Sequence, residues 1–215
     1  MDGHEGTGGR RGLPPRGAAP GRPRPVGQGA SVPERLGAGL QSARVRPEVH
    51  LAEVPAPSRV APFAVALSAD VARAGDDEDL ATGRFVLLHD PAGQEAWEGD
   101  LRVVTFARAE LDPETGSDPV LGDVGWSWFL DALEEGGVQH VAAGGTVTRV
   151  LSDSYGSLAE RPSSVELEVR ASWTPLGGPD AVGEHLRAWA DHLLCTVAGL
   201  PPLPAGVSAL RPSSR

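Results

Sequence analysis

Apolar residues alternate with polar or small residues in several short runs, a pattern typical of strands that bury one face. The clearest run covers 165–173, where Glu, Arg and Ser separate the apolar positions. Similar alternation predicts strands at 63–71, 101–108 and 146–151. Residues 84–89 contain four consecutive apolar residues, which predicts a central strand that is buried on both faces.

Helical spacing occurs in three other segments. An apolar stripe at i, i+3, i+4 and i+7 predicts an amphipathic helix over about 123–136, and its members are Trp126, Phe129, Leu130 and Leu133. A longer stripe predicts a last helix over about 180–198. A short N-terminal helix is predicted behind Pro33, and the proline-flanked residues 49–54 predict an edge strand or an extended loop.

The predicted elements follow one another as helix, three or four strands, helix, two strands, helix. Links of hairpin length between successive strands favour antiparallel pairing. We therefore expect a single α+β domain with a mainly antiparallel sheet of five or six strands. The two long helices and the short N-terminal helix are expected to pack on one face of this sheet.

Composition sets the limits of this domain. Residues 1–33 contain nine Gly and six Pro and no aliphatic run, so no core can form there to offset chain entropy. We expect a disordered Arg/Gly/Pro-rich extension at 1–33, the α+β domain at 34–204 and a disordered tail at 205–215. The extension is interpreted either as an arm that contacts nucleic acid or an acidic surface, or as a passive extension.

Charge divides the chain near the same boundary. Residues 1–46 carry a net charge of +5, whereas residues 47–215 carry −15. This acidity argues against a general nucleic-acid binder and leaves only weak contact through the basic N-terminal segment. We expect neither an export signal nor a membrane span, because no apolar run of sufficient length exists. Together with the lone Cys195, this predicts a cytoplasmic protein.

Several chemistries are excluded or disfavoured. The chain contains no Lys, which excludes Schiff-base catalysis and a phosphate-binding loop of the GxxxxGK type. His185 and His192 lie about 10 Å apart along the predicted last helix, too far to chelate one ion by themselves. Cys195 is interpreted as a small buried hydrophobe. We therefore predict no cofactor and no metal.

Candidate chemistry is concentrated near the end of the central strand. His89 beside Asp90 suggests a general base, but Asp90 to Gly93 also has the composition of a turn. Tyr155, the only tyrosine, is a candidate ligand anchor. A possible ligand site therefore comprises Arg84, His89, Asp90 and Tyr155, provided that they converge. Four arginines also lie within predicted strands, namely Arg84, Arg108, Arg149 and Arg170. One interpretation is that they converge on adjacent strands to bind an anion or a carboxylate; the favoured alternative is that each pairs with a neighbouring acid such as Glu166 or Glu168.

Two tryptophans are candidate interface residues. Trp128 lies off the apolar stripe of its predicted helix, and Trp97 follows the predicted turn after the central strand. A large aromatic side chain that points away from the core is typical of an interface anchor. The alternative is that a neighbouring loop covers it.

Seven segments together resemble an actinobacterial family of unknown function, catalogued in words as domain of unknown function three thousand. They span about 44–204 and read RVRPEV (44–49), PFAVALSADV (62–71), ATGRFVLLHDPAGQEAW (81–97), VGWSWFLDAL (124–133), GTVTRV (145–150), RASWTP (170–175) and LLCTVAGLPPLP (193–204). The resemblance implies a bacterial, cytoplasmic protein and assigns no catalytic residue. The element order is also similar to that of the type III secretion chaperone-like fold, a dimeric peptide-binding module, by analogy alone.

Two classes of function remain. The first is a non-enzymatic, acidic protein-interaction module, an adaptor or chaperone-like protein that binds another protein or itself as a homodimer. Its acidic surface favours basic partners. The alternative is a small-molecule-binding protein or enzyme with a site around His89, Asp90, Arg84 and Tyr155. No complete catalytic constellation is visible, which favours the first class.

Overall fold

Six strands form one antiparallel sheet in the computed structural model, which describes residues 30–73, 75, 78–116 and 118–202. The strands are β1 (Val49–Val54), β2 (Phe63–Val71), β3 (Ala81–Gln94), β4 (Gly99–Leu111), β5 (His140–Ser152) and β6 (Ser164–Pro175). Their order in the sheet is β1-β2-β3-β4-β6-β5, so the hairpin of the last two strands adds with β6 inside and β5 at the edge.

The helices are α1 (Val32–Ser42), α2 (Pro113–Gly116), α3 (Leu121–Glu135), α4 (Val182–Arg187) and α5 (Cys195–Val197). Between α4 and α5 the helix continues as a π-helical segment, Ala188–Leu194, and we call the whole run 182–197 the C-terminal helix. Ser31 caps α1, because its hydroxyl accepts from the backbone N–H of Glu34 while the Glu34 carboxylate accepts from Ser31 N–H.

Alternation along the strands gives the sheet two different faces. Odd-numbered side chains of the central strands, such as Phe85, Val103 and Leu167, join the main core beneath α1, α3 and the C-terminal helix. We call this the covered face. Even-numbered side chains, such as Val86 and Val104, point to the other side, which none of the described α-helices covers. We call that side the open face. The predicted α+β class, with an antiparallel sheet and helices on one face, is thus confirmed.

Aromatic rings hold the covered face together. Trp173 is fully buried and meets Phe85 edge-on, with ring centroids 6.2 Å apart, and Phe129 at 5.4 Å. Gly83 makes room for the C-terminal helix on the same face, because a Cβ there would lie 2.7 Å from Cζ2 of Trp189. A glycine in a central strand is therefore explained by the bulk that packs over it.

The apolar stripe of α3 differs from the predicted one. Leu130 is 41% exposed, whereas Gly125 is buried in the contact with the sheet. A Cβ at Gly125 would lie 3.2 Å from Cγ1 of Val147 in β5, so the helix approaches the sheet through its smallest residue. Hydrophobic spacing could not show this, because glycine contributes nothing to an apolar stripe.

Two predictions concern the ends of the chain. Because α1 begins at Val32, residues 31–33 belong to a capped helix and not to the predicted extension. The rest of the predicted extension, residues 1–29, and the tail 205–215 lie outside the described residues. None of the helices in the described ranges combines the length and the apolar composition needed to cross a membrane.

Candidate functional site

The structure does not bring the four predicted ligand-site residues together. Arg84 and His89 lie five positions apart on β3 and therefore point to opposite faces of the sheet. His89 is buried, with Nε2 3.7 Å from Oδ2 of Asp100. Tyr155 is 79% exposed in the segment after β5, and β4 and β6 separate β5 from β3. A common ligand site for these residues stays a prediction without geometric support.

Asp90 has the turn-like surroundings that its sequence context indicates. Its Oδ1 accepts from the backbone N–H of Ala92 at 3.1 Å, and its Oδ2 accepts from Nε2 of Gln94 at 3.0 Å. Gly93 has a φ of +71°, which favours glycine. These residues form an irregularity inside the β3–β4 hairpin, because β3 continues to Gln94 with a shift of register after His89.

The two predicted interface tryptophans have different surroundings. Trp128 is half-buried and packs against the main core from α3. Trp97 is half-buried on the other side of the sheet, where it packs against a small cluster formed by Ala66, Val86 and Leu88. Trp97 is therefore part of the open face, and an interface role for either residue stays a prediction.

The open face contains a shallow cavity of about 470 Å³ over the central strands, largely open to solvent. Val86 of β3 and Val104 of β4 are register partners on adjacent strands, and together with Phe106 they form the floor of this cavity. Arg84 and Arg170 stand on either side of Phe106, since Phe106 is the direct neighbour of both in the strand register. We call this the open-face cavity.

One wall of the open-face cavity depends on an irregular stretch of β5. The register of β5 against β6 shifts between Val141 and Gly144, and Ala142 has a φ of +51°. Arg102 of β4 holds this bulge, because its Nη1 donates to the Ala142 carbonyl at 2.8 Å and its Nη2 donates to Oγ of Ser172 at 2.7 Å. A Cβ at Gly144 would meet no atom within 4 Å, so the cavity opens to solvent on this side.

Charges on the open face are only partly neutralised. Arg108 pairs with Glu166, and Nε of Arg170 lies 2.6 Å from Oε1 of Glu168, a hydrogen bond that raises the pKa of Arg170. These two contacts are of the kind predicted for the strand arginines. Arg84 is half-buried and has no hydrogen-bond acceptor or carboxylate in contact among the described residues.

Arg102 is the second cation of this face without a carboxylate in contact within the described part of the chain. Its donors go to neutral oxygens of Ala142, Ser172 and Thr174. Burial lowers the pKa of Arg102 relative to its ordinary value, although the negative charge of Glu98 opposes this effect. The sequence contains a signal for these arginines, because residues 85–88 are apolar on both faces of their strand and Arg recurs at even positions nearby.

A second concavity lies on the covered face, at the edge formed by β1. It has a volume of about 1070 Å³ and is lined by α1 and by apolar side chains of the first two strands, among them Leu51, Phe63, Val65 and Leu67. Its origin is the position of the helices, because the C-terminal helix packs on the middle strands β3 and β4 and α3 packs on β5 and β6.

The remaining candidate groups, Cys195, His185 and His192, lie on the C-terminal helix. Burial raises the pKa of the Cys195 thiol to about 12, so it is not a thiolate at neutral pH. Burial also lowers the pKa of His185 to about 4, and its Nδ1 accepts from Nε1 of Trp173 at 3.0 Å. The imidazole of His192 contacts the carboxylate of Glu135. No cluster of three or more His, Cys, Asp or Glu side chains suited to a metal occurs within the described ranges.

Comparison with curated proteins and with solved structures finds no match. A family profile, in contrast, matches residues 34–208, which include every strand of the sheet, α1 from its third residue, and the C-terminal helix. By this match over most of its length, the chain belongs to the family described as protein of unknown function (DUF3000).

Proposed function

We propose that this domain is a non-enzymatic protein-interaction module that binds its partner on the open face. The observation that carries the proposal is the uncovered apolar stripe at the centre of this face. Val104 is 40% exposed in the middle of a six-stranded sheet, and the half-buried Phe106 lies beside it in the same strand. A one-sided antiparallel sheet ordinarily presents polar residues to water at such positions.

A second apolar group lies beside this stripe, toward the end of the β3–β4 hairpin. Its members Ala66, Val86 and Leu88 are buried under Trp97 and apolar side chains of residues 54–64, so the half-buried Trp97 is what this group adds to the surface of the open face. An apolar patch of this kind, bordered by charged residues, marks interaction surfaces on soluble proteins. The combination of aromatic and arginine side chains is also the one that interfaces favour.

The size of the open face fits a protein partner. Six strands at about 4.8 Å spacing and some nine paired residues at about 3.4 Å give roughly 900 Å². One partner in an interface of standard size buries about the same area. A small ligand in the cavity alone would leave most of the stripe in water.

The charges of the face indicate the chemistry of the partner. Arg84 and Arg102 have no carboxylate in contact among the described residues, although residues 47–215 are strongly acidic overall. We therefore propose a polypeptide segment that presents apolar and carboxylate side chains, which complements the local charge rather than the overall charge. A cytoplasmic location is part of the proposal and is supported by the buried, free thiol of the single cysteine, Cys195.

A photo-crosslinking experiment tests this proposal in the full-length protein. A benzophenone amino acid is placed at position 104 or, as a matched control, at Leu130, which is equally exposed but lies on the helix layer. We expect a crosslinked protein from position 104 only, and its acidic, apolar contact segment is identified by mass spectrometry. Equal crosslinking from both positions contradicts the proposal, and crosslinks only between two copies of this chain contradict the proposed occupant.

The purified partner then allows a quantitative test. Val104→Glu places a charge in the proposed interface, whereas Leu130→Glu places the same charge on the helix layer. We expect the first variant to weaken binding about tenfold or more and the second to leave the dissociation constant unchanged. Equal affinities for both variants in calorimetry would exclude the open face as the interface.

A further inference from the structure

We infer that the open-face cavity is a carboxylate-binding site formed by Arg84 and Arg170 on either side of Phe106, and that it takes a carboxylate joined to an apolar group. This inference rests on the proposed function, because it names the chemical group of the partner that enters the cavity. The geometry of the strands, the charge of the two arginines and the apolar floor support it separately.

The strand register places Arg84 and Arg170 in one row of cross-strand neighbours, with both side chains on the open face. Arg84 is the register partner of Phe106, and Phe106 is the register partner of Arg170 on the next strand. Their Cα atoms are therefore about 10 Å apart across two strand spacings. Both side chains line the cavity, so a group above Phe106 lies within reach of both.

Arg84 supplies the unbalanced charge. It is half-buried, and no described residue offers it a carboxylate or another acceptor. A charged donor that is partly removed from water gains most from a charged acceptor, and the planar guanidinium matches a carboxylate in two-pronged geometry. An incoming carboxylate would therefore satisfy a group that the chain itself leaves unpaired.

Arg170 is also available to a ligand. Its contact with Glu168 joins two residues of one strand, and the Arg170 side chain is 64% exposed. Because exposed ion pairs contribute little to stability, replacement of Glu168 by a ligand carboxylate as the partner of Arg170 costs little free energy. Glu168 remains one row away and disfavours a ligand of high negative charge. The site is thus better suited to one carboxylate than to a phosphate dianion.

The floor of the cavity determines the rest of the ligand. Val86, Val104 and Phe106 present apolar surface next to the two arginines, and Gly144 leaves the space above them open. A volume of about 470 Å³ is larger than a carboxylate requires and falls within the range of small-ligand sites. An apolar group attached to the carboxylate would cover this floor, as the C-terminal residue of a peptide or a Glu beside an apolar side chain does.

Two probes that differ in one charge test the inference. N-acetyl-L-phenylalanine carries a carboxylate next to an aromatic ring, and N-acetyl-L-phenylalaninamide is its neutral counterpart. Each is titrated into the full-length, ¹⁵N-labelled protein, with inorganic phosphate as a third arm. We expect the acid to bind about tenfold more tightly than the amide, with amide shifts centred on Gly144, Gly145 and Thr146.

Variants assign the effect to the two arginines. Arg84→Gln and Arg170→Gln are each expected to weaken binding of the acid severalfold while binding of the amide stays unchanged. Arg84→Lys, which keeps the charge, is expected to retain part of the affinity. Arg108→Gln is the matched control, because Arg108 lies on the same face but pairs with Glu166 and does not line the cavity.

Three results would overturn the inference: equal binding of acid and amide, tighter binding of phosphate than of the acid, or shifts centred outside the cavity. Its failure is distinguishable from failure of the proposed function. If Val104→Glu weakens partner binding while the acid probe shows no preference for the cavity, the interface stands and only the carboxylate site is excluded. If crosslinking from positions 104 and 130 is equal, the interface itself is excluded.

Discussion

The covered and open faces of the sheet are built from alternate residues of the same strands, yet they meet opposite requirements. On the covered face, Phe85 and Trp173 are fully buried among the rings of α3 and the C-terminal helix. On the open face, Arg84 and Val104 are one residue removed from that core in sequence and reach solvent. Stability therefore depends mainly on the odd positions, whereas exposed even positions such as 84 and 104 can vary with less effect on the fold.

The largest difference between the two faces is expected for removal of a core ring. Trp173→Ala deletes a fully buried side chain and its hydrogen bond to His185, so the free energy of unfolding should fall by about 3–5 kcal/mol. The control Val104→Ala should cost about 0.5 kcal/mol, because Val104 is already partly hydrated. Urea denaturation measures both, and similar losses would show that the open face is part of the core.

The pH dependence of stability is the next effect in size. Burial lowers the pKa of His185 to about 4 in the folded protein, whereas the unfolded chain has the ordinary value of 6.5. Between these two pKa values the unfolded state binds more protons than the folded state. The stability that the neutral His185 contributes is therefore fully present above pH 6.5 and is lost as the pH falls toward 4. The loss amounts to about 3 kcal/mol at most.

Replacement of the imidazole isolates this contribution. His185→Gln keeps a hydrogen-bond acceptor for Nε1 of Trp173 but does not titrate in this range. Urea denaturation at pH 7, 6 and 5 should show a smaller loss of stability in the variant than in the original protein. Parallel pH curves for the two proteins would mean that other groups cause the acid sensitivity.

Alanine substitution of one glycine on each face compares the free space on the two faces directly. Gly83→Ala would place a Cβ 2.8 Å from the Phe106 carbonyl oxygen and 2.7 Å from Trp189, which should cost about 1–3 kcal/mol. Gly144→Ala meets nothing within 4 Å and should change stability by no more than about 0.5 kcal/mol. Thermal unfolding ranks the two, and a large effect at Gly144 would contradict the open position of that residue.

The smallest effect concerns two arginines on the open face. Arg102→Gln removes the donors that hold Ala142 and Ser172, which should cost about 1–2 kcal/mol and speed amide exchange in 141–145. Arg108→Gln removes an exposed ion pair and should cost less than about 1 kcal/mol. Hydrogen exchange read by mass spectrometry compares the variants, and equal exchange at 141–145 would show that Arg102 does not hold the bulge.

Much of the fold could be predicted because its signals are local. Strict alternation in 165–173 and helical spacing near Phe129 specify a strand and a helix whatever lies around them. The order of the strands depends on long-range pairing and does not follow from these local patterns. The π-helical segment Ala188–Leu194 was not predicted, since the apolar stripe of the last helix continues through it.

The candidate site was harder to predict because it depends on neighbours across the sheet. The sequence places Arg84 in two candidate groups: one with His89, which lies near it in sequence but on the opposite face, and one with the other strand arginines, which include Arg170. The actual neighbours of Arg84 in the cavity, Phe106 and Arg170, are distant in sequence and meet it only through the register of β3, β4 and β6. Pairing of Arg170 with Glu168 could be predicted, because those residues lie two positions apart on one strand.

The bulge in β5 also affects how the molecule behaves at high concentration. β5 is an edge strand, and a regular edge offers a row of free backbone groups to which a strand of another molecule can add. The shift of register between Val141 and Gly144 interrupts that row, while Pro55 and Pro57 limit the opposite edge just beyond β1. Loss of the guanidinium that holds the bulge would therefore lengthen the regular edge of β5 and favour addition of a strand from another molecule.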